Sequence, residues 1–184
     1  LVGYLAGSVP FAFLLARRAG IDVRRVGSRN VGAANVLRNT GIGRALAVTM
    51  LDVAKGAAAV GIAFASTGGN GVAALTGAAA VVGHIYPVWL RFHGGKGVAV
   101  AAGVFAMLTP LATAIAMALF LVIVSATRYV SLGSVAATLA LPPAAWLTGA
   151  PGAVVGAAAG TAALILFRHR ANLQRLTDGT ERKI

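Results

Sequence analysis

The chain of 184 residues is 58% hydrophobic and 11% charged, with a mean hydropathy of +0.84. This balance excludes an ordinary water-soluble domain, because too few polar side chains are available to cover its surface. The chain has no cysteine, which excludes disulfides, a thiolate metal site and a cysteine nucleophile. Its formal charge of +12 favours anionic partners.

Apolar runs in chain order predict helices that cross a membrane, since a hydrocarbon layer of roughly 30 Å needs about 20 helical residues. The runs that qualify or nearly qualify are residues 1–16, 45–65, 72–90, 129–147 and 153–167. Residues 98–126 form either one long tilted helix or two helices broken at Thr109-Pro110. The high content of Ala and Gly suits close packing of such helices.

The distribution of positive charge decides between one helix and two in residues 98–126. Basic connections are residues 17–44, residues 91–96, Arg128 and the tail from Arg168, whereas residues 66–71 and 149–152 carry no charge. Two crossings with a turn at Pro110 put every basic segment on the cytoplasmic side, as the positive-inside rule requires. The pattern predicts a single polytopic domain over residues 1–184, an all-α bundle of seven transmembrane helices with the N-terminus outside and the C-terminus cytoplasmic.

Side chains with useful chemistry gather in four of the predicted cytoplasmic segments, beginning with residues 27–38. Ser28, Asn30, Asn35 and Arg38 offer hydroxyl, amide and guanidinium groups that suit phosphate oxygens. Ser28 could instead cap a short helix, and Arg38 could face lipid headgroups. Because the basic residues sit in short loops, lipid headgroups and phosphorylated substrates are the expected anions, and no nucleic acid is expected.

The second segment is a glycine-rich turn that opens the apolar run at residue 98. The turn consists of Gly94, Gly95, Lys96 and Gly97. Exposed N–H groups at a helix start, together with a lysine, predict a phosphate site, although the spacing is not that of the nucleotide-binding P-loop. The alternative is a flexible turn with a snorkelling lysine. Nearby His84 and His93 are more typical of packing or interfacial positions, and three scattered histidines predict no metal site.

The other two segments place polar pairs at helical spacing. Ser131 and Ser134 share a helix face, although such hydroxyls often bond back to their own helix. His169 and Asn172 also lie three residues apart, and a basic interfacial tail would explain the arginines around them but not this pair. Within the apolar runs, Asp52 and Lys55 are expected to form a structural ion pair that faces the bundle.

Together these motifs resemble the PlsY family of bacterial acyl-phosphate:glycerol-3-phosphate acyltransferases over nearly the whole chain. The resemblance rests on Gly7-Ser8-Val9-Pro10, Gly27-Ser28-Arg29-Asn30 through Asn35, Leu51-Asp52 with Lys55-Gly56, His84 through Ala99, Ser131-Leu132-Gly133-Ser134, and Arg168-His169-Arg170 through Glu181. The chain departs from the family's commoner pattern at Arg29, Ala34 and Val100, where glycine, threonine and threonine are usual.

The resemblance implies a seven-helix enzyme of the bacterial cytoplasmic membrane with its active site on the cytoplasmic face and no cofactor. Its substrates would be acyl phosphate and glycerol 3-phosphate, and its products lysophosphatidic acid and inorganic phosphate. This reaction is the first acylation of phospholipid synthesis. Because acyl phosphate is already activated, no covalent acyl-enzyme is needed.

The residue types suggest how the site would divide these tasks. Lys96 with the amides of Gly94, Gly95 and Gly97 would hold one phosphate. Ser28, Arg38 and Ser134 would hold the other or stabilise developing charge, with Asn30, Asn35 and Ser131 as further phosphate contacts. His169 and Asn172 would orient the glycerol phosphate, and Glu181 would hold the tail in place. Either His169 or the donor phosphate would take the proton.

The main alternative from another class is a transporter of phosphate or organic anions, which would also be helical, basic and rich in glycine. Transporters usually bind substrate near the membrane midplane between repeated halves. This sequence has no internal repeat, and its polar groups gather at one end of the predicted bundle. A small membrane scaffold would not need imidazole, guanidinium and amide groups on four separate segments.

Overall fold

The structure is a computed structural model that describes residues 1–184, except for the side chain of Thr67. Across this described chain the regular structure consists of nine α-helices and one 3-10 helix, which confirms the all-α prediction. In chain order they are α1 (Val2–Ser8), α2 (Phe11–Arg17), α3 (Ala33–Thr40), α4 (Ile42–Thr67), α5 (Asn70–Ile85), the 3-10 helix (Val88–Leu90), α6 (Val98–Leu108), α7 (Pro110–Thr127), α8 (Val130–Leu147) and α9 (Gly152–Thr177).

Five helical segments are long and apolar enough to cross a membrane. They are Ile42–Ser66, Asn70–Leu90, Pro110–Thr127, Val130–Leu147 and Gly152–Thr177. Two shorter apolar segments, Val2–Arg17 and Val98–Leu108, lie beside them. Large apolar side chains such as Leu75, Val122 and Trp146 are exposed on the outside of the bundle, a surface that suits contact with lipid.

Two prolines decide where apolar runs are interrupted. In residues 98–126, α6 ends at Leu108 and α7 begins at Pro110, because proline is suited to the first helical position and disfavours helical backbone at Thr109. The sequence predicts one helix over residues 1–16, and this prediction is wrong. Pro10 leaves Val9 in extended backbone and separates α1 from α2.

Glycines allow α4 and α6 to cross at close range. A Cβ atom on Gly56 would lie 2.3 Å from the Val100 carbonyl oxygen, and one on Gly103 would lie 1.9 Å from the Val53 carbonyl oxygen. Backbones can approach this closely only where one side has no side chain. The short helix α6 is therefore held against α4 along its length, which fixes the position of the glycine turn at its N-terminus.

Candidate active site

A cavity of about 500 Å³ lies at the end of the bundle where the basic segments gather. We call it the central cavity. It brings together side chains or backbone from all four predicted segments, namely Ser28, Asn30, Asn35, Arg38, Lys96, Gly97, Ser131, Ser134, His169, Asn172 and Glu181. Residues separated by more than 150 positions in the sequence thus surround one space. The same cavity is also lined by His84 and Arg175, which the sequence did not assign to the site, and by Asp52, which was expected only in a structural ion pair.

An open basic cleft of about 700 Å³ adjoins the central cavity. Its cationic lining consists of Arg24, Arg25, Arg29, Arg91, Lys96, Arg168 and Arg175. The two spaces share Ser28, Asn30, Lys96, Asn172 and Arg175. A small anion entering through the cleft would therefore meet positive potential along its path to the shared residues.

The glycine-rich turn is fixed by the end of α5. The Gly94 N–H donates to the Ile85 carbonyl (3.1 Å), and the Gly95 N–H donates to the His84 carbonyl (3.2 Å). Contact of these two amides with phosphate, as the sequence predicts, would require those bonds to break. Gly97 has a φ of +93°, which favours glycine, and lines the central cavity beside Lys96.

Lys96 heads a hydrogen-bonded chain that runs to the C-terminal tail. Its Nζ donates to Asn172 Oδ1, and Asn172 Nδ2 donates to Glu181 Oε1 (2.6 Å). The same carboxylate accepts from Ser131 Oγ (2.8 Å) and pairs with Arg175 Nε (2.7 Å). Asn172 and Ser131 are thus placed by Glu181, a residue outside any regular element.

Burial shifts the pKa of Lys96, whereas hydrogen bonds decide the charge of Glu181. Loss of water around Lys96 lowers its pKa to about 8, although the nearby Glu181 carboxylate opposes the change. For Glu181, burial raises the pKa, but hydrogen bonds from Asn172, Ser131 and Arg175 outweigh it, so the pKa is lowered and the group is ionised at neutral pH.

Asn35 shapes the loop before α3. Its Oδ1 accepts from the Ser28 N–H (3.0 Å), and its Nδ2 lies within 3.0 to 3.2 Å of the carbonyls of Val23, Val26 and Asn30. Both ends of the buried amide are therefore occupied, and we assign Asn35 to holding the loop rather than to binding phosphate.

Arg38 and Ser134 show how much hydrogen-bonding capacity remains for a ligand. Arg38 donates from Nη2 to the Arg182 carbonyl (3.0 Å), whereas its buried Nε has no hydrogen-bond partner in the part of the chain that is described. A half-buried guanidinium with an unused N–H suits an anion. Ser134 donates back to the Val130 carbonyl (2.8 Å), so its oxygen faces the cavity mainly as an acceptor.

His169 is buried and holds a defined tautomer. Its Nδ1 lies 2.8 Å from the Ile165 carbonyl oxygen, and because a carbonyl only accepts, Nδ1 carries the hydrogen. In the neutral ring Nε2 is then free to accept a hydrogen bond. His93 differs, since it lies exposed in the loop and contacts the Arg91 carbonyl (2.6 Å).

Arg175 and His84 are the residues that sequence reasoning missed. Arg175 lies three residues after Asn172, so extending the helical periodicity beyond residue 167 would have placed it on the same face. His84 was interpreted as a packing residue, and its spacing from Asp52 and Lys55 along the chain gives no signal of their contact.

Comparison with known proteins places the chain in a family. The family model Glycerol-3-phosphate acyltransferase matches residues 1–179. The chain is 46% identical to the glycerol-3-phosphate acyltransferase of Rhizobium meliloti (strain 1021), over 99% of this chain and 89% of that protein. It is 48% identical to the enzyme of the same name from Rubrobacter xylanophilus, over 100% of this chain and 92% of that protein.

Two solved structures share the fold. The crystal structure of PlsY (YgiH), an integral membrane glycerol 3-phosphate acyltransferase, in its glycerol 3-phosphate form has a TM-score of 0.95 and 41% identity, covering 99% of this chain and 92% of that one. The lysophosphatidic acid form has a TM-score of 0.92 and 40% identity, covering 99% and 91%. These matches do not support the transporter alternative. The chain is an integral membrane protein that belongs to the glycerol-3-phosphate acyltransferase family.

Proposed function

We propose that this acyltransferase moves a fatty acyl group from acyl phosphate to the 1-hydroxyl of glycerol 3-phosphate, giving lysophosphatidic acid and inorganic phosphate. The observation that carries the proposal is the central cavity, in which a cationic polar end continues into an apolar groove. Such a space suits a substrate that joins a phosphate to a fatty chain. The glycerol 3-phosphate and lysophosphatidic acid forms of the solved relative support the acceptor and the product.

The apolar groove runs from the central cavity into the bundle between α6, α7, α8 and α9. It is lined by Val98, Ala101, Ala102, Phe105, Thr113, Ala116, Met117, Ala137, Thr138, Leu141, Thr161, Ala162 and Ile165. Val98, Ala102 and Met117 line both spaces. On all four helices the lining residues continue away from the polar end, so the groove, which encloses about 50 Å³, would direct an acyl chain toward the membrane interior without enclosing it fully.

The two substrates fit the two polar spaces. Glycerol 3-phosphate is small, doubly anionic and water-soluble, and it would reach the site through the basic cleft. Acyl phosphate would place its chain in the groove and its phosphate at the polar end of the central cavity. Ser28, Lys96 and Asn172 border both spaces and would lie where the substrates meet.

The chemistry is a direct acyl transfer. The 1-hydroxyl oxygen attacks the carbonyl carbon of the donor, the new ester bond forms, and the bond from that carbon to the phosphate oxygen breaks. Lys96 and Arg38 would stabilise the negative charge that develops on the carbonyl oxygen and the leaving phosphate. His169 Nε2 and a phosphate oxygen of the donor are the two acceptors for the hydroxyl proton.

The same proposal places the protein in the bacterial cytoplasmic membrane with seven crossings, the N-terminus outside and the active site on the cytoplasmic face. The five long segments and the two shorter ones support this count. The basic residues of the cleft and the tail lie at the end that the positive-inside rule assigns to the cytoplasm. Glycerol 3-phosphate would then reach the site without crossing the membrane.

The donor is tested by offering palmitoyl phosphate or palmitoyl-CoA, each with glycerol 3-phosphate, to the purified protein in lipid. We expect phosphate release and a 1-acyl product, identified by mass spectrometry, in the sample with palmitoyl phosphate and not in the sample with palmitoyl-CoA. Turnover only in the sample with palmitoyl-CoA would overturn the proposed donor. No turnover in a folded sample that carries glycerol 3-phosphate into liposomes would instead indicate a transporter.

A further inference from the structure

Three ionisable side chains form a buried cluster beneath the glycine-rich turn. Asp52 and Lys55 come from α4 and His84 comes from the end of α5, and all three are less than a tenth exposed. Charged groups at such positions are costly to bury and are retained where they have a task. The chemistry proposed above uses none of the three.

The ammonium of Lys55 is surrounded by three acceptors. Its Nζ lies 2.8 Å from Asp52 Oδ1, 3.0 Å from His84 Nδ1 and 2.8 Å from the Val9 carbonyl oxygen. Since an ammonium only donates, Lys55 donates hydrogen bonds to His84 Nδ1 and the Val9 carbonyl, and it forms an ion pair with Asp52 Oδ1. The His84 ring is thereby held from one side, with Nδ1 as the acceptor and the hydrogen on Nε2.

The other edge of the His84 ring supports the turn. A Cβ atom placed on Gly95 would lie 2.1 Å from His84 Nε2, so the turn rests directly on the imidazole. The backbone of the same residue accepts the Gly95 N–H, and Ile85 accepts that of Gly94. Lys96 is the next residue, and its ammonium reaches Asn172 across the central cavity.

We propose that His84 is a positioning residue for phosphate binding. Held by Lys55 and Asp52, its imidazole fixes the distance of the glycine-rich turn from the end of α5, and thereby the position of the Lys96 ammonium in the central cavity. This inference rests on the proposed role of Lys96 in holding phosphate. Although His84 also borders the central cavity, the proposal makes it act on the substrate through Lys96.

The test is a double-mutant cycle on the affinity for glycerol 3-phosphate, measured by calorimetry with purified protein. The four proteins are wild type, His84→Leu, Lys96→Ala and the double variant. We expect His84→Leu to weaken binding on the order of tenfold in the wild-type background and to change it little in the Lys96→Ala background. Equal weakening in both backgrounds would overturn the proposal, because it would show that His84 acts without Lys96.

The conservative variant His84→Gln, whose amide reaches the position of Nε2, keeps the support beneath Gly95, and we expect it to restore most of the affinity. If His84→Leu does not fold, His84→Asn, which keeps an acceptor near Nδ1 but does not reach Gly95, takes its place in the cycle and must show the same dependence on Lys96. Thr109→Val, which is also buried but lines neither the groove nor either polar space, controls for loss of a polar group. Failure of Lys96→Ala alone to weaken binding would instead contradict the proposed role of Lys96.

Discussion

The hydrogen bond from His169 Nδ1 to the Ile165 carbonyl leaves Nε2 of this buried imidazole as an acceptor beside the central cavity, whereas His93 lies exposed in a loop. It directs an unprotonated Nε2 toward a cavity that also contains Asn172 and Lys96. An acceptor held in this way can orient the glycerol hydroxyl and take its proton.

We therefore expect His169→Ala to lower kcat/KM by about 10²-fold or more, the range found for positioned acid–base groups. His93→Ala should change it much less, because His93 lies exposed on the open basic cleft and does not line the central cavity. Initial rates of phosphate release from the donor, catalysed by each of the two variants, check this prediction. Equal losses would remove His169 from the site.

The lowered pKa of Lys96 predicts a pH dependence. Below pH about 8 the ammonium is charged and attracts phosphate, whereas above it the amine is neutral. We expect kcat/KM for glycerol 3-phosphate to fall as the pH rises through about 8, since this ratio reports groups of the free enzyme. In Lys96→Arg, whose side chain stays charged, the fall should be absent. A fall that persists in this variant would assign the titration to another group.

At this scale the sequence predicts which residue types gather, but not what each one contacts. Ser28 and Asn35 look equivalent as polar residues of one segment. Their roles separate because the chain path, with positive φ at Gly27 and Arg29, directs three carbonyls onto the Asn35 amide. That path depends on packing between distant segments, which no local pattern records.

Among the elements, α9 and the tail that follows it close one side of the site. The tail passes beneath α3 and α8, where Arg38 donates to the Arg182 carbonyl and the Ile184 N–H donates to the Arg128 carbonyl (3.0 Å each). Glu181 is the residue that joins this tail to Ser131, Asn172 and Arg175.

We expect Glu181→Gln to loosen the tail, because the ion pair with Arg175 is lost. Trypsin should then cleave after Arg182 and Lys183 faster than in the wild type, and activity should fall with it. Asp178→Asn is the matched control, since Asp178 is exposed and accepts only from Gln174 among the described hydrogen bonds. Unchanged cleavage in Glu181→Gln would show that the tail is held by its other contacts.

The four-helix lining of the groove predicts a dependence on acyl-chain length. Ala162 lines the groove on α9, so Ala162→Leu should obstruct a long chain more than a short one. We expect the ratio of kcat/KM for palmitoyl phosphate over octanoyl phosphate to fall about tenfold. Ala163→Leu on the exposed side of α9 should leave the ratio unchanged. An unaltered ratio in Ala162→Leu would place the acyl chain elsewhere.

The element boundaries show where sequence patterns suffice. The break at Pro110 followed from charge placement, because a single crossing would have put a basic tail on the wrong side. The end of α9 at Thr177 lies ten residues beyond the predicted apolar run. Hydropathy marks only the lipid-facing part of a helix, and the polar continuation that carries His169 and Asn172 is stabilised by packing at the site.

For the whole molecule, the absence of cysteine in the sequence makes the proposed orientation directly testable. We expect a cysteine introduced at Gly149, in an uncharged connection, to react with an impermeant maleimide added to intact cells. A cysteine at Arg25, in the basic cleft, should react only after the cells are permeabilised. The reverse pattern would contradict the proposed cytoplasmic face.

We propose that acyl transfer takes place in the central cavity and depends on Lys96. The most direct test of this proposal is phosphate release from palmitoyl phosphate by wild type, Lys96→Ala and Arg170→Ala in lipid, with and without glycerol 3-phosphate. Arg170 is an exposed neighbour of His169 that packs on Phe167 and serves as the charge control. We predict release that needs both substrates, falls at least about 10²-fold in Lys96→Ala and persists in Arg170→Ala. Full activity in a folded Lys96→Ala protein would show that acyl transfer does not depend on this lysine.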